Sequence, residues 1–101
     1  MRMLLHVSIP HERFNEAVRK GTAGQTMSRI LDDAKPEAVY FTEIDGKRTA
    51  ILVINLEEPS RVPAFAEPWF LQFGADCHFR IVMSPEDLKK AGLEALGKKW
   101  A

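Results

Sequence analysis

Residues 50–54 read Ala-Ile-Leu-Val-Ile, five apolar side chains in a row. Successive side chains of a strand point to opposite faces of the sheet, so this segment is apolar on both. A sheet with one face in water alternates apolar and polar instead. A chain holding such a strand has to cover both faces of its sheet. With 101 residues, it has material for only one domain, 1–101, with which to do so.

The rest of the chain reads as elements around that strand. Met3, Leu5, Val7 and Ile9 share one face of a first strand, and Leu4, His6 and Ser8 share the other. Pro10 ends it and suits the first turn of a helix, expected over residues 11–20 with Gly21 as its left-handed cap. Thr22 and Gln25 have capping-box spacing, which starts a second helix carrying Met27, Ile30, Leu31 and Ala34 on one side and stopping at Pro36. An unbroken helix over both stretches would run about 37 Å, against about 23 Å for a seven-residue strand, so a split is geometrically sensible. Residues 38–44 are the second strand, Asp45-Gly46 is a strong hairpin signal, and residues 48–56 are the third strand. Ser60 is expected to cap a helix reaching Phe73, kinked at Pro68 and ended by Gly74. Residues 75–83 are the fourth strand. Ser84-Pro85-Glu86-Asp87 opens a last helix with Leu88, Ala91, Ala95 and Leu96 as its apolar stripe and Gly97 as its end.

That order is a split β-α-β arrangement: an α+β, ferredoxin-like βαββαβ fold with a four-stranded antiparallel sheet, a split first helix and an extra C-terminal helix. Right-handed crossovers put the helices on one face. The other face stays apolar, which is unusual on a monomer. The simplest cover is a second copy about a two-fold axis, giving a homodimer with sheets face to face. The alternative is a monomer whose last helix folds over the open face.

Composition narrows the function. Lys plus Arg is 14 and Asp plus Glu is 14, a balance that argues against a nucleic-acid partner and against docking on anionic lipid. One cysteine excludes an internal disulfide and a cysteine-based zinc site. No apolar run approaches the roughly 20 residues of a membrane span. His6, Ser8 and Pro10 break the opening run too early for a signal peptide. A cytoplasmic protein is expected.

Alternation lists the open face. It takes Leu4, His6 and Ser8 from the first strand and His78, Arg80 and Val82 from the fourth. The first and fourth strands are neighbours in this fold, so His6, His78 and Arg80 share a surface. One reading is an anion or acid/base pocket, with Arg80 gripping a carboxylate or phosphate and a histidine moving a proton. The competing reading is a charged rim that protects an edge strand from aggregation. Tyr40 and Thr42 extend the polar lining if they point the same way. Asn55, at the end of the third strand, either binds ligand or satisfies backbone groups. Trp69 either walls a cleft beside the kinked helix or belongs to the core with Phe65, Phe70 and Phe73. His6, His78 and Glu43 lack any metal-ligand spacing, so no metal and no cofactor are expected. Gly21 to Thr26 lacks the Gly-Lys-Ser/Thr ending of a phosphate loop. Cys77 points away from its neighbour His78 and reads as a small buried hydrophobe.

Four stretches carry a family resemblance: Lys35-Pro36-Glu37-Ala38-Val39-Tyr40-Phe41-Thr42-Glu43, Asp45-Gly46-Lys47-Arg48, Ala66-Glu67-Pro68-Trp69-Phe70-Leu71-Gln72-Phe73-Gly74-Ala75-Asp76, and Met83-Ser84-Pro85-Glu86-Asp87-Leu88. The chain resembles members of the dimeric α/β-barrel superfamily of ferredoxin-like proteins, and more narrowly a group of small, functionally uncharacterised bacterial proteins. The resemblance implies the fold and the homodimer but no single chemistry, since the superfamily holds cofactor-independent oxygenases, haem-degrading enzymes, isomerases and ligand sensors. A pantothenate synthetase, a label carried by some relatives of the narrower group, would need a His-x-Gly-His type motif and a longer chain. The expectation is a small cytoplasmic homodimer that binds a small, anionic molecule between sheet and helices. One alternative is an oxygenase- or isomerase-like enzyme with His6 or His78 as base and Arg80 as anion clamp. The other is an assembly protein with no ligand.

Overall fold

At Asp45 and Gly46 the backbone takes φ of +55° and +77°. Two successive left-handed residues make a type I′ turn, whose twist matches the strands it joins. The turn sets the register of β2 (Ala38–Ile44) against β3 (Lys47–Asn55), from Ile44 opposite Lys47 to Ala38 opposite Val53. β1 (Arg2–Ile9) pairs antiparallel with β3 on one side and with β4 (Asp76–Ile81) on the other. The sheet order is β2-β3-β1-β4. A computed structural model describes residues 1–101, an α+β fold compatible with the ferredoxin-like arrangement.

The helices cover one face. Those that do are α1 (His11–Lys20), α2 (Ala23–Ala34) and α3 (Val62–Phe73); α4 (Pro85–Lys90) and α5 (Leu93–Lys99) follow at the C-terminal end. The core joins Met3, Leu5, Val7 and Ile9 of β1 and Ala50, Leu52 and Ile54 of β3 to Ile30 of α2 and to Phe65, Trp69 and Phe73 of α3. Phe14 of α1 closes its edge, packed against Phe73 with ring centroids 4.9 Å apart and planes tilted by 47°. The Arg48 guanidinium lies 4.6 Å from the centroid of the Phe14 ring and donates to Asn15 Oδ1 at 2.7 Å. Arg13 donates to the carbonyls of Phe70 and Leu71, tying α1 to the C-terminal end of α3, where a cation suits the helix dipole.

Several expected details differ. Thr22 does not cap α2. Its backbone N–H donates to Ala17 O at 2.9 Å and its hydroxyl turns to the same carbonyl, so it closes α1 behind the left-handed Gly21 instead. Ser60 likewise caps nothing. It sits in a 3₁₀ turn, Pro59–Arg61, with its hydroxyl on the Glu58 carboxylate, and α3 begins two residues later. β4 ends at Ile81 rather than at residue 83, because its last partner is Met3 and β1 has almost no chain left to pair. The last helix is two helices, since Gly92 adopts φ +70° and breaks the run. Gly97 lies inside α5 rather than ending it.

The second break leaves α4 and α5 as an arm. Every residue from 85 to 101 is exposed, including Leu88, Leu93, Leu96 and Trp100. The arm does not fold over the open sheet face, so the monomeric cover set out as the alternative does not form. The consequence shows in the dimensions. The Cα radius of gyration is 17.1 Å, against about 13 Å for a compact chain of this length. The chain exposes 7264 Å², against about 5,800 Å² for a compact monomer of 11.4 kDa. No helix is long and apolar enough to cross a membrane.

Candidate functional site

The register turns the open face into rows that cross all four strands. Thr42, Thr49, Ser8 and Asp76 form a polar row at one end. Tyr40, Ile51, His6 and His78 form the middle row. Ala38, Val53, Leu4 and Arg80 form the third. Leu4, Ile51 and Val53 are half-buried by their neighbours in the sheet, with no helix over them. The face is therefore apolar at its centre, hydroxyl-rich at one end, and basic along the β4 edge.

His6, His78 and Arg80 do come together. His6 and His78 are direct cross-strand partners with ring centroids 5.7 Å apart and planes tilted by 39°. Arg80, one pair further along, brings a guanidinium nitrogen to 3.4 Å from His6 Nδ1. A guanidinium can only donate, so Nδ1 accepts and the ring hydrogen sits on Nε2. That Nε2 is buried and makes no hydrogen bond within the chain, like Trp69 Nε1 in the core, so the donors open to the face are those of Arg80 and His78, both exposed. Arg80 forms no ion pair. The chain's salt bridges are Arg2 with Glu37 and Lys20 with Glu16. The acid on the same strand face, Asp76, lies four residues along β4, about 13 Å away. The cluster offers N–H donors and a fixed positive charge to one small volume of the open face.

The other expected site residues are placed elsewhere. Tyr40 shares the middle row but sits on the far edge strand, 68% exposed and two strands from His6. Its hydroxyl can line a ligand lying across the sheet but does not touch the cluster. Asn55 stands opposite Arg2, two pairs beyond Leu4, and its Oδ1 accepts from the Met1 amine at 3.0 Å. Trp69 is not a pocket wall. It is 0% exposed in the helix-covered core against Phe73, on the opposite side of the sheet from the histidines. Its physical role is to fill the layer between α3 and the sheet, where its Nε1 is buried without a partner. Alternation placed the cluster correctly, and Ser8 and Thr42 of the polar row with it, but missed Thr49 and Asp76: Asp76 has the parity of His78 and Arg80, and that spacing is the signal that marks it.

Cys77, one residue from His78, faces the other way. Its thiol packs under Ala66 O at 3.9 Å, and burial first, then the Asp76 and Glu67 carboxylates, push its pKa up from 9.0 to about 11. A thiol held in that state is no nucleophile at neutral pH. No three His, Cys, Asp or Glu side chains converge as metal ligands. An open groove of about 800 Å³ runs between α2 and α3, with Arg29, Asp32, Asp33 and Glu67 on its walls. It lies on the helical side, away from the cluster.

Comparison with family models, with curated proteins and with solved structures finds no match for this chain.

Proposed function

We propose that the protein is a small cytoplasmic homodimer of the ferredoxin-like, dimeric α/β-barrel kind, and that its open sheet faces enclose a site for a small anionic molecule. Arg80, His6 and His78 hold the anion, with Tyr40 bordering it. The observation that carries the reading is the exposed Arg80 guanidinium, in no ion pair, held beside His6 and the exposed His78. Charge-assisted hydrogen bonds from such a set suit a carboxylate or a phosphate. The ligand lies on the open face rather than between sheet and helices, because Trp69, Phe73, Leu5 and Leu52 fill that layer. The half-buried apolar centre supports the dimer, since such a face is stable in water when a second copy covers it.

Two measurements test this. Native mass spectrometry of untagged protein is expected to show twice 11.4 kDa, and a monomer at tens of micromolar sinks the dimer. Titration with inorganic phosphate and with acetate, read from the imidazole proton shifts, is expected to move His6 and His78 saturably. The double substitution His6→Ala with Arg80→Ala is expected to weaken binding about tenfold or more, the usual worth of a charged hydrogen bond. Imidazole signals that ignore both anions overturn the site.

A further inference from the structure

The arm is the part of the chain with nothing to hold it. An isolated helix shorter than about 12 residues is marginal in water, and α4 and α5 have 6 and 7. Their order must come from packing, yet no side chain from 85 to 101 is buried. Leu93, Leu96 and Trp100 fall at i, i+3 and i+7, one face of α5 and its end, and Leu88 adds to it from α4. That face is built to be covered, and its own body does not cover it.

A second copy of this chain is the occupant that the exposed area fits. The chain exposes about 1,500 Å² more than a compact monomer of its mass, and twice that is the size of an obligate homodimer interface. The arm leaves directly from β4, the strand that borders the open face. Two sheets can face each other about a two-fold axis that runs either along the strands or across them. With the axis along the strands, β4 of one copy lies opposite β2 of the other, because β2 and β4 are the two edges of the sheet. The β2 edge carries Tyr40 and Ile44 on the open-face side and Phe41 on the other, all exposed. An arm that follows β4 then reaches an apolar edge that is likewise bare.

We infer that the C-terminal arm, residues 82–101, clasps the β2 edge of a second copy of this chain, with Leu88, Leu93, Leu96 and Trp100 packed against Tyr40 and Ile44 of the partner subunit. The inference rests on the face-to-face dimer proposed above and adds a reciprocal exchange of arms to it. The arm then closes the side of the open face that holds Tyr40, so each anion site is bounded by both copies.

The test uses the full chain. Leu93→Glu with Leu96→Glu leaves the helix-covered core untouched and is expected to raise the dimer dissociation constant about 100-fold or more in sedimentation equilibrium, since it removes two buried leucines per arm. An unchanged constant in a protein that is still dimeric overturns the arm and leaves the sheet-to-sheet dimer standing. A wild-type chain that is itself monomeric overturns both. A second measurement does not depend on weakening anything. In a Cys77→Ser background, protein carrying Leu93→Cys is mixed with protein carrying Tyr40→Cys and oxidised. A covalent pair between the two chains is expected. If instead the pair forms only within one chain carrying both substitutions, the arm folds back on its own edge and the exchange is wrong.

Discussion

The two faces of the sheet share one backbone and hold side chains of similar apolar character, yet they end in different states. On the covered face, Leu5, Val7, Ala50, Leu52 and Ile54 are each 0% exposed, packed under Trp69 and Phe73. On the other, Leu4, Ile51 and Val53 are half-buried, and basic and hydroxyl groups surround them. The first face is finished within one chain; the second is not. The same distinction separates the body from the arm. Helices α1 to α3 are anchored by a core, whereas α4 and α5 carry apolar residues that touch no core at all.

The largest expected effect breaks the finished face. Leu52→Ala removes a fully buried side chain from the middle of the core, at a cost of about 2–5 kcal/mol. Val53→Ala, its neighbour on the open face, is expected to cost under about 1 kcal/mol in dilute protein. Its cost grows with protein concentration if a second copy buries that face, because the lost contact then belongs to the dimer. Urea unfolding at two concentrations a hundredfold apart checks both. Equal costs for Leu52→Ala and Val53→Ala in dilute protein would erase the contrast between the faces.

A smaller effect sharpens the comparison within one pair of residues. Cys77 and His78 are adjacent but point to opposite faces. With its pKa near 11 instead of 9.0, Cys77 holds on the order of 100-fold less thiolate at pH 8 than a free thiol. Its reaction with a disulfide reagent is expected to be slower by that factor and to accelerate tenfold per pH unit up to about pH 11. His78, exposed on the open face, is expected to react readily with an acylating imidazole reagent in the same protein, and protection that sets in as protein concentration rises tests the proposed dimer. A fast thiol would place Cys77 outside the buried layer.

Much of this contrast was legible in the residues. Period-two alternation separates Leu5 from His6 and Cys77 from His78, and Asp45-Gly46 sets the hairpin that registers Tyr40 with the middle row. Glycine marked the ends of α1 and α3 because Gly21 and Gly74 take left-handed φ at little steric cost. Gly92 does the same, but inside a helical pattern a glycine does not announce whether it bends or continues the helix. Thr22 has the spacing of a cap and the wrong neighbour: a preceding helix end competes for its N–H and wins. Trp69 fits a wall and a core equally well by spacing, and only tertiary packing decides. The stripe Leu88, Leu93, Leu96 says that a surface wants cover but not whose surface supplies it.

The smallest expected effect concerns how the arm is held at its root. Ser84 and Asp87 form a complete capping box, with Asp87 N donating to Ser84 Oγ at 3.1 Å and Ser84 N donating to Asp87 Oδ2 at 3.0 Å. The Ser84 backbone N–H first, and its hydroxyl second, hold the Asp87 carboxyl below its ordinary 3.8. A carboxyl whose pKa is lower folded than unfolded adds stability above the unfolded value and loses it as pH falls through the folded one. The order of α4 is therefore expected to be flat from pH 7 down to about 5 and to decline only in the acid range below the ordinary carboxylate value. In monomeric protein, Ser84→Ala is expected to move the Asp87 midpoint up toward 3.8 and to fray α4 at every pH, while the Leu52 core signals stay in place. Carboxyl carbon shifts of Asp87, followed beside the α4 amides, give both readings. An arm whose amides ignore Ser84→Ala is held by something other than its cap. In a protein that is dimeric, that would be the expected behaviour of an arm already seated on the second copy, so the same titration above and below the dimer dissociation constant separates cap from clasp.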